Sequence, residues 1–254
     1  DDRGEQFAKL KQLVELMAEL GFPGGVVEIT DGALQKEVWE VRKAGLNIMM
    51  SMKGEGKPVS FIEDCAVPLE HLAEYTDKLT QVFARHGTRG TWYAHASVGT
   101  LHVRPVLNMK QDGARQMRAI AEEACELVRS YKGAAYSGEH GDGLARTEWI
   151  EPIIGPRLMR ALEEIKDLFD PRGLMNPGKI VRGSKQDDRG LFRFKPGYAA
   201  LQLDTALDWS EWNATDETAG AGASRGPQPI AAVSRGFVAA VEMCNNNGHC
   251  RKFD

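Results

Sequence analysis

An α+β fold built on an antiparallel, ferredoxin-like sheet is predicted by three observations. Beyond residue 58, short extended runs alternate with long helical ones. Two of the extended runs, Trp92–Ser97 and Thr100–Val106, are rich in β-formers and flank Val98-Gly99, which reads as a hairpin. The resulting order, β-α-β-β-α-β, is the split unit whose antiparallel sheet carries its helices on one face.

Taken in order, Glu5–Leu20 carries apolar residues at 7, 10, 13, 14, 17 and 20, a helical spacing that stops at Gly21-Phe22-Pro23-Gly24-Gly25. Val26–Thr30 reads as a short strand, and Asp31 as the cap of a helix running to about Lys43. Leu46–Met52 is apolar, and Lys53–Pro58 is a polar loop. Val59–Ala66 reads as a strand, and Pro68–His86 as a helix with proline in its first turn. The hairpin follows, then a helix over Asp112–Tyr131, a short strand over Ala134–Gly138, and a further helix over Gly155–Phe169. Beyond Arg182 the texture changes: residues 184–235 are rich in Gly, Ser, Asp and Pro, and Ala219–Gln228 reads as a flexible linker. The expected divisions are a folded domain over 1–183 and an extended tail over 184–243.

The composition, 42% hydrophobic and 27% charged, suits a soluble globular chain. A net charge of −4 without a Lys/Arg run argues against nucleic acid as a partner. No apolar run approaches the roughly 18 residues of a membrane helix, and no signal peptide is visible. Cys65 and Cys125 lie in apolar surroundings and read as reduced core residues, which suits a cytoplasmic location.

Chemistry concentrates in Tyr93–Gly143, where His95, His102 and His140 stand in two short clusters. A tight turn on Val98-Gly99 pairs Ser97 with Thr100, Ala96 with Leu101 and His95 with His102, with Cβ atoms about 5 Å apart. That separation suits two imidazoles sharing a metal ion. Glu139 would complete a set of two histidines and one carboxylate, a pattern of Zn and Fe(II) sites with open positions. Its carboxylate is expected within about 5 Å of both rings, on the sheet face away from the helices. From spacing alone, a hairpin with two surface histidines and an unrelated Glu-His turn stands equally open.

These clusters resemble the C-terminal substrate or cap domain of the FAD-linked oxidases, a family that includes D-lactate, glycolate and D-2-hydroxyglutarate dehydrogenases. The family's first motif is His-x-Gly-Asp-Gly-Asn-Leu-His, matched by His95, Gly99, Leu101 and His102. Its second is Gly-Glu-His-Gly, matched by Gly138, Glu139, His140 and Gly141. The tail blocks Phe169-Asp170-Pro171 and Asn176-Pro177-Gly178-Lys179-Ile180 match as well. Ser97-Val98 and Thr100 depart from the first motif and, with the C-terminal cysteines, resemble large bacterial members fused to an iron–sulfur half.

The resemblance implies roles. Arg42, after Trp39, falls where the family places an arginine on the substrate carboxylate, a task that suits a guanidinium fork; its other reading is a solvated helix residue. His140 would be the base, against a plain loop histidine. Asn176 would lie near the flavin ring, although Asn-Pro-Gly also makes an ordinary turn. Residues 244–254 would be the truncated start of a ferredoxin-type domain, with Cys244 and Cys250 as ligands of a [4Fe–4S] cluster; the other readings of the two cysteines are a thiol pair or a disulfide. Four thiolates are needed, so an intact cluster is not expected in this chain. Asp142, Arg146 and Lys57 are polar residues without an assigned role.

The implied activity is FAD-dependent oxidation of a D-2-hydroxy acid, assisted by Zn or another divalent metal. The partners would be the hydroxy acid, an upstream FAD-binding domain and a downstream ferredoxin-type domain of the same polypeptide. The chain starts without Met, and is expected to be an excised piece, inactive alone. A zinc-dependent hydrolase and a non-catalytic metal-binding or docking domain are the alternatives.

Overall fold

The computed structural model describes residues 2–52, 54–201, 203, 205–209 and 235–244. The chain divides into two compact units, Asp1–Ile48 and Met49–Asp254.

In the first unit, α1 (Arg3–Glu19) begins at Asp2, whose carboxylate accepts the Gly4 N–H at 3.0 Å. It ends as the chain turns through Gly21 at φ +86°. Asp31 caps α2 (Gly32–Met50) by accepting the Leu34 N–H at 2.8 Å. The helix runs past Lys43, because Ala44, Leu46, Met49 and Met50 favour a helix and no proline intervenes. Val26–Thr30 is an irregular link, not a strand. Its β-branched residues find no ladder partner among the described residues, and a lone strand has nothing to hold it.

The second unit holds β1 (Lys57–Pro58), β2 (Cys65–Ala66), α3 (Leu72–Arg85), β3 (Gly90–His95), β4 (Thr100–Leu107), α4 (Gly113–Arg129), α5 (Thr147–Ile154), α6 (Pro156–Phe169) and α7 (Arg235–Glu242). Its sheet is small, open and antiparallel, and every named strand in it pairs with β4. The Leu101 and Pro105 carbonyls, four residues apart on one edge of β4, accept the N–H groups of Asp64 and Val59 at 2.9 Å each. β3 takes the other edge.

The α+β class and the antiparallel sheet stand, but two of the expected strands are not regular. Val59–Ala66 leaves the ladder between β1 and β2, where Phe61 and Ile62 are buried and Asp64 turns left-handed at φ +61°. Ala134–Gly138 contributes an isolated bridge, Ala66 to Ala135, with the Gly138 N–H donating to the Asp64 carbonyl at 2.7 Å.

The hairpin register also differs. Ala96–Val98 forms a 3-10 turn closed by Gly99 at φ +71°, so four residues make the loop. His95 pairs with Thr100, and Tyr93 with His102. The shift is two residues, so the two histidines are diagonal neighbours on the same face rather than directly opposite.

Period-two alternation on β4 divides the unit. Leu101, Val103 and Leu107 join Tyr75, Leu79, Val82 and Phe83 of α3 and Met117, Ile120, Ala124 and Val128 of α4 in one core. Each Val, Leu, Ile, Phe or Met among them, fully buried, contributes about 1.5–3 kcal/mol. Thr100, His102 and Arg104 point to the other face. Cys65 and Cys125 lie in the core, and burial pushes their thiols up to about 12 and about 11.

Sequence pattern does not reveal α5, whose interior proline, Pro152, and run of Thr, Trp and Ile hide its helical character. α7 lies inside the stretch expected to be an extended tail, and its Glu242 pairs with Lys110 and accepts the Tyr198 hydroxyl. The expected linker Ala219–Gln228 and Cys250 lie outside the described residues. Among the described residues, no helix is long and apolar enough to cross a membrane.

Candidate functional site

On the face of β4 turned away from α3 and α4, three side chains converge. Glu139 Oε1 lies 2.8 Å from His102 Nε2 and 3.6 Å from His95 Nε2. The two imidazoles stand edge to face with centroids 4.9 Å apart. His102 is 3% exposed, whereas His95, at the end of β3, is exposed. Burial pushes the His102 imidazole below its ordinary pKa, with the Glu139 and Glu63 carboxylates acting in the opposite sense. A neutral ring is the form that donates a lone pair to a cation.

The donor set fits a divalent cation. Tetrahedral bonds of about 2.1 Å place ligand atoms roughly 3.4 Å apart, and the two separations given above bracket that distance. One face of the site is open, since Glu139, His95 and His140 all retain solvent exposure.

His140 stacks on His102 with centroids 5.3 Å apart, and its Nε2 lies 3.9 Å from Glu139 Oε1. Glu139 and His140 therefore address one cluster. Gly141 at φ +74° turns the chain immediately after them. Gly138 sits so close to the strand that an added Cβ would lie 3.0 Å from the Asp64 carbonyl oxygen.

The residues that build this loop were not singled out by motif. Asp64, fully buried, accepts the Ser137 hydroxyl at 3.0 Å and the N–H groups of Glu139 at 3.0 Å and His140 at 2.6 Å. Its other oxygen takes the Arg146 guanidinium at 2.5 Å. Glu63, also buried, pairs with Arg104 and lies 3.3 Å from His102 Nδ1 and 3.9 Å from His140 Nδ1. Arg104 further donates to Ser60 Oγ at 2.8 Å and to the Tyr93 hydroxyl at 3.2 Å. The signal was present: adjacent carboxylates inside the apolar run Phe61–Val67, and an arginine inside β4, must be paired when buried. Burial also pushes the Asp142 carboxyl up, with Arg146 acting in the opposite sense.

The remaining candidates are carried by other elements. Arg42 is on α2 in the first unit, its guanidinium 5.8 Å from the centroid of the Trp39 ring. Asn176 is exposed in the loop after α6, at φ +44°, and accepts Lys179 Nζ at 3.3 Å. Lys57 donates to the Met52 carbonyl. Cys244 follows α7, and its carbonyl accepts Arg193 Nη1 at 2.6 Å.

The chain is 31% identical over 262 residues to a D-2-hydroxyglutarate dehydrogenase of Pantoea ananatis, covering 100% of this chain and 23% of the relative. A D-2-hydroxyglutarate dehydrogenase of Haemophilus influenzae is 35% identical over 146 residues, 57% of this chain and 14% of the relative. A D-lactate dehydrogenase of Anaerostipes hadrus is 28% identical over 183 residues, 70% of this chain and 37% of the relative. The chain thus spans less than half the length of each of these relatives. Residues 1–180 match the family model described as FAD linked oxidases, C-terminal domain, and the chain belongs to that family.

Proposed function

We propose that this chain supplies the substrate-activating part of an FAD-dependent dehydrogenase that oxidises a D-2-hydroxy acid to the 2-oxo acid. The observation that carries this reading is the convergence of His95, His102 and Glu139, with His140 beside the same Glu139 oxygen. His95, His102 and Glu139 would hold Zn or a similar cation, which would supply Lewis acidity at the substrate oxygens. FAD, when bound, supplies the hydride acceptor.

In this reading His140 takes the substrate hydroxyl proton. Its ring is about half exposed, so a substrate can reach Nε2 from the open side. Its Nδ1 lies 3.7 Å from Asp64 Oδ2 and 3.9 Å from Glu63 Oε1, carboxylates that are themselves paired with Arg146 and Arg104. Arg42 is proposed to clamp the substrate carboxylate; support comes from its place after Trp39 and from the bidentate geometry of guanidinium. Asn176 is proposed to meet the flavin ring, on the support of the Asn-Pro-Gly-Lys block.

Transfer of electrons to an iron–sulfur half is a proposal resting on the Cys244 and Cys250 spacing. A cluster takes four thiolates. Two cysteines at that end of the chain do not by themselves make such a site. The division into a cap over 1–183, a tail over 184–243 and the start of a ferredoxin-type domain over 244–254 is likewise proposed from composition and motifs.

The test is anaerobic flavin reduction by the full-length protein with lactate, glycolate and 2-hydroxyglutarate. Bleaching of the flavin by one of these acids is expected. His102→Ala and His140→Ala should each slow it by at least about 100-fold with FAD still bound. Reduction at the parent rate in both variants would overturn the assignment.

A further inference from the structure

The proposed chemistry uses His102 through Nε2 and leaves its other nitrogen unexplained. Nδ1 is buried and makes no aligned hydrogen bond among the described residues. Yet Glu63 Oε1 lies only 3.3 Å away, and this residue is itself only 6% exposed. A buried carboxylate needs a fixed partner, and Arg104 is that partner. Arg104 is in turn held by Ser60 and by the Tyr93 hydroxyl, and its guanidinium lies over the Tyr93 ring at 5.4 Å. Tyr93 also packs against the His102 ring, with centroids 4.5 Å apart. His102 therefore has a neighbour on its face, a carboxylate at Nδ1 and the donor cluster at Nε2.

We infer that Glu63, held by Arg104, is a positioning residue that accepts the Nδ1 proton of His102 and so directs the Nε2 lone pair toward His95 and Glu139. The inference rests on the metal-assisted reading for its consequence, but its geometry stands apart from it. A histidine ligand whose second nitrogen donates to a carboxylate is fixed in tautomer and orientation, and gains basicity. The same oxygen lies 3.9 Å from His140 Nδ1, so one carboxylate serves the donor cluster and the neighbouring ring together.

Another reading of these atoms is a second cation held by Glu63, His102 and His140, whose ligand atoms also lie within 4.8 Å of one another. Arg104 opposes it. The guanidinium already occupies the Glu63 oxygen that such a cation would need, and two buried positive charges on one carboxylate repel.

The experiment has two arms on the 254-residue chain. Removing Glu63 alone would strand the Arg104 charge and risk unfolding, so Glu63→Leu and Glu63→Gln are made in an Arg104→Met background and compared with the parent chain, where Arg104 still holds Glu63. The first arm adds Glu139→Ala, which removes the competing acceptor at Nε2. It reads the His102 ring nitrogens by 15N NMR without metal, at about pH 8, above the ordinary imidazole range. The Nδ1–H tautomer is expected with Glu63 present, a mixture after Glu63→Leu, and recovery after Glu63→Gln, since the amide oxygen still accepts. The second arm keeps Glu139 and titrates Zn2+ alone. Glu63→Leu should weaken binding about 10–100-fold, with Glu63→Gln recovering part of it. A proton on Nε2 regardless of residue 63, or identical tautomers in the Glu63→Leu and Glu63→Gln variants, would overturn the inference. Absence of Zn2+ binding with the tautomer still following residue 63 would instead overturn the metal reading and leave the positioning role standing.

Discussion

Asp64→Asn is the sharpest probe of how the site is held. The substitution is nearly isosteric, and asparagine tolerates the left-handed backbone at φ +61° as well as aspartate does. Only charge and one acceptor change. Oδ2 receives three donors, Ser137 Oγ, Glu139 N and His140 N, so the new amide keeps its oxygen there. Its NH2 group must then face Arg146 Nη1, which now sits 2.5 Å from the opposing oxygen. Arg146 is buried and loses its ion partner, and breaking such a pair from one side costs about 3–5 kcal/mol. The three bonds that survive also weaken, since charge-assisted bonds are about twice as strong as neutral ones. A total near 4 kcal/mol is the expectation, a large share of the roughly 5–15 kcal/mol that stabilises an ordinary domain. Denaturant titration should show a lower midpoint at unchanged slope. Amide exchange at Glu139 and His140 should quicken with it. A loss under about 1 kcal/mol, or unchanged protection at those amides, would refute the claim that Asp64 organises the loop.

Asp170 is held well below the usual carboxylate range, at about 2, by Lys166 and by the N–H groups of Met175 and Leu174. Its depressed pKa contributes stability that is fully present above the unfolded value of about 3.9 and is lost as pH falls toward 2. Asp170→Asn should therefore be less stable at neutral pH and flatten the acid limb of a stability–pH profile between those values; an unaltered limb would count against the assignment. Gly99→Ala places a methyl group 1.9 Å from the Val67 carbonyl at φ +71°, and thermal unfolding should show a loss of at least about 2 kcal/mol. Parent-like stability would reject the turn geometry described for the hairpin.

The faces of the hairpin were legible because Leu101, Val103 and Leu107 alternate with Thr100, His102 and Arg104, and period two assigns sides without knowledge of the turn. The turn itself was not legible. Val98-Gly99 suggested two residues, whereas Ala96–Val98 form a 3-10 turn that Gly99 ends at φ +71°, close against the Val67 carbonyl. A two-residue slip preserves the face, so the grouping of His95, His102 and Glu139 survived an incorrect register. Glu63, Asp64 and Arg104 were passed over because their partners are remote in sequence: Asp64 meets Glu139 and His140, 75 and 76 residues on. Local pattern carries no information about such pairs beyond the demand that buried charges find one. Similarly, α2 outran its expected end because no residue after Lys43 opposes a helix strongly enough to stop it.

The position of β4 has a consequence for how the chain acquires its shape. β1, β2 and β3 each pair with β4 in the named ladders, and none pairs with another of the three. A nascent chain that has emerged only as far as Gly99 therefore has three would-be strands and no template for any of them. Once Thr100–Leu107 arrives, the hairpin closes over a four-residue loop, whereas pairing with β1 and β2 must close loops of dozens of residues at greater entropic cost. Nucleation on β3–β4, followed by capture of the earlier segment, is the order this connectivity favours. The site residues on β3 and β4 then meet early, and Glu139 and His140 come to them only when the last bridge to Ala66 forms.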